Sequence, residues 1–121
     1  MSSKHNQIIV DSKDFALRII KLYKFLTDEK KVHVLSKQIL RSGTSIGANV
    51  RESINAQSKM DFINKLNIAL KEANETEYWL ELLHESNYLD DTQYDSINND
   101  CGKLVATLTK IIKSSKANMS K

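Results

Sequence analysis

The chain has 121 residues, 40% of them hydrophobic, with a net charge of +3, no proline, three glycines and one cysteine. This length predicts one domain around one core, and a proline-free sequence without turn dipeptides disfavours a β-rich fold. The lone Cys101 excludes an internal disulfide and agrees with a reducing compartment. No apolar run reaches the length of a signal peptide or a membrane span, so we expect a cytoplasmic protein without membrane contact.

The N-terminal residues 1–10 are expected to form a mobile tail, followed by helix 1 over about residues 11–27. Asp11 is the expected N-cap, because Val10 and Phe15 then occupy the two positions of a hydrophobic staple. From Phe15 onward, apolar residues recur every three or four positions, which predicts a helix that is buried on one side.

Helix 2 is predicted over about residues 29–56, again with apolar residues every three or four positions. Gly43 and Gly47 lie within this pattern and weaken a helix by roughly 1 kcal/mol each relative to alanine, so a close helix approach is expected there. A polar row with heptad spacing borders the apolar stripe. It fits either an ordinary helix flank or a hydrogen-bonded seam between helices or subunits, and we favour the seam, because buried polar groups must pair. The row consists of Gln38, Ser42, Ser45, Asn49 and Glu52.

Helix 3 is predicted over about residues 58–87, with Ser58 and Asp61 forming a variant of the capping box. Its apolar face is broader than a helix paired only within a small monomer needs. Leaving several large apolar side chains in water would forgo several kcal/mol, comparable with the stability of a domain. We therefore expect a contact between subunits, through Ile63, Ile68, Leu70, Trp79 and Leu82.

Helix 4 is predicted over about residues 90–116, with Asp90 as N-cap and Gln93 as its capping-box partner. Residues 117–121 are expected to be a frayed tail. Four helices with short connections pack as an antiparallel up-down-up-down bundle, so the predicted fold is an all-α bundle over residues 11–116.

Charge is distributed unevenly along the chain: the net charge is +5 over residues 1–41, +2 over 42–71, −9 over 72–101 and +5 over 102–121. In the predicted bundle, the start of helix 1, the end of helix 2, the start of helix 3 and the end of helix 4 share one end, the basic end. The acidic block 72–101 lies toward the opposite, acidic end. Cations expected at the basic end are Lys13, Arg51, Lys59, Lys110, Lys113 and Lys116.

The segments LRSGTSIGANVRES (residues 40–53) and SKMDFINKLNIALKEANETEYWLELL (residues 58–83) carry a specific resemblance. The chain resembles the four-helix-bundle family encoded in intervening sequences of bacterial large-subunit ribosomal RNA genes. The accessory proteins of diversity-generating retroelements share this fold. The matching positions are Gln38, Arg41, Ser45, Ile46, Asn49, Val50, Glu52, Ser58, Asp61, Phe62, Ile68, Ala69 and Leu70.

This resemblance implies a ring-shaped homo-oligomer, with a pentamer as the expected state, and no enzymatic activity. Retroelement members of the fold resemble nucleic-acid-binding partners of a reverse transcriptase. For most of the family the molecular role is unassigned, so the resemblance informs the fold more than the function.

Candidate catalytic chemistry is sparse. Glu81 and His84 form one Glu-x-x-His unit, whereas di-metal bundles use two such units with further carboxylates. Cys101 falls in the core row of helix 4 and is expected to be a packed small side chain. We expect no enzyme activity, no metal and no cofactor.

The remaining functional surface is cationic, and phosphates are bound by such groups without a sequence code. The sequence therefore predicts an oligomeric accessory protein that binds RNA or DNA. Two alternatives remain open: that the lysines only solvate the helices, and that a ring of subunits is a scaffold for a basic protein partner, such as a reverse transcriptase-like enzyme. The candidate nucleic-acid contacts are Arg41, Arg51, Lys59, Lys110 and Lys113.

Overall fold

The computed structural model describes residues 3–119, which form four α-helices: α1 (Ser3–Asp28), α2 (Val34–Ile54), α3 (Lys59–Glu85) and α4 (Asp91–Met119). Each helix contacts its two neighbours in the cyclic order α1, α2, α3, α4. Within the described residues, neither diagonal pair of helices, α1 with α3 or α2 with α4, is in contact. The predicted all-α four-helix bundle is therefore confirmed.

A single core fills the space between the four helices. Each helix contributes residues spaced three or four apart, as the apolar pattern predicts for helices that bury one face. Burying each large side chain contributes about 1.5–3 kcal/mol, so this core is the main source of stability. Its largest fully buried apolar side chains are Ile19, Leu26, Ile39, Ile46, Leu66, Leu80, Leu83 and Leu108.

Helix α1 begins at Ser3, so the predicted start at Asp11 is wrong. Ile8 is only 2% exposed, because it lies one heptad before the buried Phe15 and extends the same core face. Val10 is exposed, so the expected hydrophobic staple does not form. Of the predicted tail, only residues 1–2 lie outside the described residues.

Helix α2 begins at Val34, five residues later than predicted, because the chain turns first. Lys31 adopts a positive φ of 57°, which no α-helix accommodates. The Val32 amide then donates to the Leu26 carbonyl at 2.9 Å, and the Val32 side chain is buried beneath the turn.

The α3–α4 connection follows a standard helix-ending geometry. Asn87 has a positive φ of 67°, a conformation that asparagine tolerates better than most residues. The Asn87 amide donates to the His84 carbonyl, and the Tyr88 amide donates to the Leu83 carbonyl. This Schellman-type pairing ends α3 at Glu85, slightly before the predicted residue 87.

Side-chain caps start the last two helices where the sequence indicates. The Ser58 hydroxyl accepts a hydrogen bond from the Asp61 amide at 3.0 Å. The Asp90 carboxylate accepts from the Gln93 amide at 2.7 Å, while the Gln93 side chain accepts from the Asp90 amide at 2.9 Å. This reciprocal capping box fixes the start of α4.

Helix α4 continues to Met119, so the expected fraying from residue 117 is not seen up to that residue. The last two positions of the predicted tail, 120–121, lie outside the described residues. None of the four described helices is long and apolar enough to cross a membrane.

The two glycines of α2 mark its closest approach to α1. A Cβ atom at Gly43 would lie 2.6 Å from Cγ1 of Ile19, and one at Gly47 would lie 3.2 Å from the Ser12 carbonyl oxygen. A hydrogen atom at each position therefore lets the two helices pack closely, as the sequence predicts.

Candidate nucleic-acid interface

Four helix termini meet at the basic end of the bundle, and the predicted cations there reach solvent. Arg51, Lys59, Lys110 and Lys113 are all exposed. They belong to three helices, and α2 and α4 lie diagonally across the bundle. The cations therefore surround the basic end instead of forming one compact patch.

The C-terminal half of α4 has three exposed lysines, although Lys103 shares a pocket with Asp11, Asp14 and Asp100. Lys103, Lys110 and Lys113 are exposed, and no carboxylate follows Asp100 along the chain. Among the described residues, none of these three lysines forms an ion pair. The ammonium groups of Lys110 and Lys113 are therefore available to an anionic ligand. Cations in the last turns of a helix also interact favourably with its dipole.

A small aromatic cluster lies beside Lys59 at the start of α3. The Lys59 ammonium lies 5.6 Å from the centre of the Phe62 ring, and the His5 ring lies 5.2 Å from the same ring. Burial, and then the nearby Lys59 charge, lowers the pKa of His5 below its usual value. His5 is therefore neutral at pH 7 and adds no charge to the basic end. The sequence pattern missed this cluster because His5 was placed in a mobile tail.

Arg51 and Lys13 line a shallow groove between α1 and α2. Its other lining residues are small or apolar, including Ala16, Gly47 and Ala48. The groove exists because small side chains on both helices leave the interhelical surface uncovered. Arg51 thus stands at the side of the bundle near the basic end.

Arg41 differs from the other candidates, because its charge is neutralised within the chain. Its guanidinium donates to Glu72 at 3.0 Å and also to Glu75, forming two ion pairs between α2 and α3. The hydrogen bond from Arg41 lowers the pKa of Glu75. Glu75 also accepts from the Trp79 indole N–H at 3.2 Å. Arg41 therefore joins two helices away from the basic end, and we remove it from the candidate phosphate contacts.

The predicted polar seam crosses between helices at one position. The buried Ser42 hydroxyl is hydrogen-bonded to the Thr76 hydroxyl of α3 at 2.9 Å. Thr76 is also 2.8 Å from the Glu72 carbonyl oxygen of its own helix. Because both hydroxyls are fully buried, this bond fixes the register of α2 against α3.

The other four members of the row do not form an interhelical seam in this chain. The Ser45 hydroxyl donates to the Arg41 carbonyl, and the Asn49 amide donates to the Ser45 carbonyl, all within α2. Gln38 and Glu52 are exposed. Within one subunit the row therefore forms an interhelical hydrogen bond at Ser42, and the seam between subunits stays a prediction.

The broad apolar face of α3 divides between two neighbours. Ile63 is only 2% exposed and belongs to the core, so its assignment to a subunit interface is wrong. Ile63, Leu70 and His84 recur at multiples of seven residues, and His84 reaches Asp91 of α4 at 2.7 Å. This row therefore faces α4, and Leu70 is half-buried there.

The opposite flank of α3 is more accessible. Ile68 is 42% exposed, while Trp79 and Leu82 are half-buried. These three residues, together with the 53% exposed Tyr78 and the 54% exposed Met60, contribute to the apolar surface of α3 that one subunit leaves uncovered. The sequence identified both flanks but gave no means of deciding which one α4 covers.

Groups capable of catalysis are dispersed or buried in the described part of the chain. His84 is bonded to Asp91 and stacks on Tyr94 at 4.3 Å, so it is not paired with Glu81. The Cys101 thiol is fully buried, and burial raises its pKa to about 12, which leaves it protonated. No group of three or more His, Cys, Asp or Glu side chains in residues 3–119 could hold a metal ion.

The described residues thus define a four-helix-bundle protein whose accessible chemistry is cationic at one end and anionic at the other. The family model for the 23S rRNA-intervening sequence protein matches residues 4–110, and the chain belongs to this family. The family expected from the sequence is therefore confirmed, while the relation to retroelement accessory proteins stays a prediction.

A similar solved structure is that of a protein with unknown function from the S23 ribosomal protein family of Bacteroides thetaiotaomicron VPI-5482, determined at 1.70 Å. It is 63% identical in sequence, with alignment over 91% of this chain and 98% of that chain, and a TM-score of 0.90. Among curated proteins, none matches this chain.

Proposed function

We propose that this chain is a non-enzymatic accessory protein that binds nucleic acid through the basic end of an oligomeric helical bundle. The observation that carries the proposal is the last part of α4 at the basic end, where Lys110 and Lys113 are exposed and lack ion pairs within the described residues. Such a surface attracts phosphates by charge and releases their counterions on binding.

Weak sequence specificity follows from the type and placement of these side chains. Base edges are read by side chains that enter a groove, whereas phosphates are contacted from outside. The α4 lysines stand on the exterior of a helix and form a row roughly 15 Å long, at 1.5 Å per residue. A flexible lysine is a point charge and lacks the fixed fork by which arginine recognises a base.

Assembly is the second part of the proposal, with a homopentamer as the proposed state. One subunit has a net charge of only +3, which is modest for a nucleic-acid-binding protein. Several subunits would multiply the contacts and therefore the avidity. The uncovered α3 surface formed by Ile68, Trp79 and Leu82 supports a contact between copies.

Binding is tested by fluorescence anisotropy with a single-stranded RNA and a duplex DNA over a range of salt concentrations. The variant Lys110→Glu/Lys113→Glu should bind both weakly, with a slope of log K against log salt reduced by about two per contacting subunit. The matched control, Lys30→Glu/Lys37→Glu, makes the same change in net charge at the acidic end and should bind nearly as wild type. Failure of the wild type to bind either probe at low salt would overturn the proposal.

A scaffold for a basic protein is the second candidate function. It is favoured by the exposed carboxylates of the acidic end, because residues 72–101 contain no lysine or arginine. Glu81, Glu85, Asp91 and Asp95 are all exposed there. Co-purification of a basic protein that persists after nuclease treatment, and that is lost on Glu81→Lys/Asp95→Lys substitution, would support this candidate over direct nucleic-acid binding.

A further inference from the structure

An open groove lies at the basic end, where the turn between α2 and α3 meets His5 of α1. Its volume is about 410 Å³, within the range of about 300–1,000 Å³ that is usual for clefts holding small ligands. The turn contributes the small side chains of Ala56 and Ser58, which leave the neighbouring aromatic rings uncovered. We call this cleft the turn groove.

Aromatic and apolar side chains line the turn groove. Phe62 is half-buried, because its ring packs against the core and also lines the groove. The His5 ring lies beside the Phe62 ring, with an angle of 48° between their planes. Ile54, which is 42% exposed, lines the same groove. Covering this surface with a flat aromatic group would remove apolar area from water, which is favourable.

The charges around the turn groove favour an anionic ligand. Lys59 is exposed, forms no ion pair within the described residues and places its ammonium beside the Phe62 ring. None of the described residues that line the groove is acidic. Asp61, next to Phe62 in the sequence, accepts a hydrogen bond from the Gln57 amide at 3.3 Å, so its carboxylate serves the start of α3. A ligand with an aromatic ring next to a negative charge fits such a groove, and a nucleotide unit is a ligand of this kind.

We propose that the turn groove holds an unpaired base of a single-stranded nucleic acid, stacked on Phe62, while Lys59 contacts the adjacent phosphate. This inference rests on the nucleic-acid binding named in the proposed function and specifies its substrate class as single-stranded. A base inside a duplex is paired and stacked between its neighbours, so a side chain outside the helix cannot reach its face. Stacking tolerates any sequence, because every base has a π-face, and it therefore agrees with weak sequence specificity.

A second phenylalanine with a lysine beside it lies at the acidic end and provides a matched control. The Lys30 ammonium lies 5.7 Å from the centre of the Phe25 ring, and Phe25 is also half-buried. Arg18 and Lys21 line the groove next to Phe25, so its local chemistry resembles that of the turn groove. The difference is the surrounding charge, because the acidic block 72–101 has nine carboxylates and no lysine or arginine. Phosphates are repelled there, so Phe25 should not contribute to binding.

The test uses fluorescence anisotropy with a single-stranded DNA of about 12 nucleotides and an abasic strand of the same length, which has the phosphates without the bases. Wild type should bind the strand with bases about fivefold or more tightly than the abasic strand. This comparison needs no variant, so it does not depend on the folding of any substituted chain.

The variant Phe62→Leu keeps an apolar side chain at a half-buried position and removes the ring. It should bind the strand with bases about fivefold or more weakly than wild type, bind the abasic strand unchanged, and keep the same slope of log K against log salt, because stacking releases no counterion. Phe62→Tyr keeps the ring and should retain binding, and Phe25→Leu should bind as wild type. Circular dichroism and sedimentation velocity should show the same helix content and assembly state for all variants.

Equal binding of the two strands by wild type would overturn the stacked base and leave phosphate binding intact. An unchanged affinity of Phe62→Leu, or an equal loss for both strands, would also overturn it. A loss in Phe25→Leu as large as that in Phe62→Leu would overturn the assignment to the turn groove. Failure of wild type to bind either strand at low salt would overturn the proposed function and this inference with it.

Discussion

Replacing Gly43 by alanine places a methyl group where the Ile19 side chain already lies. The added Cβ would be 2.6 Å from Cγ1, 2.9 Å from Cγ2 and 3.0 Å from Cδ1 of Ile19. Ile19 is fully buried, so it has no free space in which to move aside. Overpacking of this kind costs about 1–3 kcal/mol, and the better helix propensity of alanine offsets about 1 kcal/mol. We expect a net loss of about 1 kcal/mol in the free energy of unfolding.

The other two glycines provide matched controls in the same chain. A Cβ at Gly102 would meet no atom within 4 Å, so Gly102→Ala should stabilise the protein by about 0.5–1 kcal/mol through helix propensity alone. At Gly47 the nearest atom is the Ser12 carbonyl oxygen at 3.2 Å. This backbone atom can yield only by a small helix shift, so Gly47→Ala should have an effect near zero.

The assay is urea unfolding of all three variants at one fixed protein concentration, because assembly would change the apparent stability. The expected order of stability is Gly102→Ala, then Gly47→Ala, then Gly43→Ala. Combining Gly43→Ala with Ile19→Ala should cost less than the two separate losses added together, because the smaller side chain removes the clash. A Gly43→Ala variant as stable as Gly102→Ala would refute the argument from close packing.

Three further changes test the caps, the buried hydroxyl pair and the titration of the basic end. Asp90→Ala should lower the free energy of unfolding by about 1 kcal/mol through loss of the α4 cap, with the exposed Asp95→Ala as a control expected to stay within about 0.5 kcal/mol. Thr76→Val should cost about 1–3 kcal/mol in the same urea experiment, because it leaves the buried Ser42 hydroxyl without its partner; an unchanged midpoint would contradict this. Folding lowers the pKa of His5 below 6.5, its usual value. The unfolded chain therefore binds a proton at His5 more readily than the folded chain does. The free energy of unfolding should fall as the pH drops below 6.5. Lowering the pH from about 7.5 to about 5.5 should therefore decrease the melting temperature of wild type more than that of His5→Gln. An equal decrease in both proteins would exclude a contribution from His5.

The elements that the sequence predicts best are fixed by local interactions. Ser58 begins α3, and Asp90 with Gln93 begins α4, through hydrogen bonds spanning three residues. The burial of Cys101 also follows from its place in a helical apolar row. Such features depend on neighbours in the chain, so the pattern of residues contains enough information to place them.

The α1 start and the α1–α2 turn were predicted less well, because distant residues decide them. Ile8 lies one heptad before Phe15 and is helical because the bundle offers it a place in the core, but the polar residues 1–7 before it favoured a later start. Lys31 turns the chain with a positive φ, although lysine has no special preference for that conformation. The sequence therefore placed the start of α1 too late and the start of α2 too early.

For the candidate site, the sequence determined that the chain has four amphipathic helices, a basic end and an acidic end, because order along an antiparallel bundle fixes which segments share an end. Only the tertiary structure decided which of those side chains remain available to bind a ligand or a partner. Arg41 is neutralised by Glu72 and Glu75, and Ile63 is buried in the core while Ile68 reaches solvent. Helical periodicity gives the direction of each side chain around the axis of its helix. Which side chains form ion pairs or become buried depends on how the neighbouring helices are rotated about their own axes. No single segment of the sequence specifies that rotation.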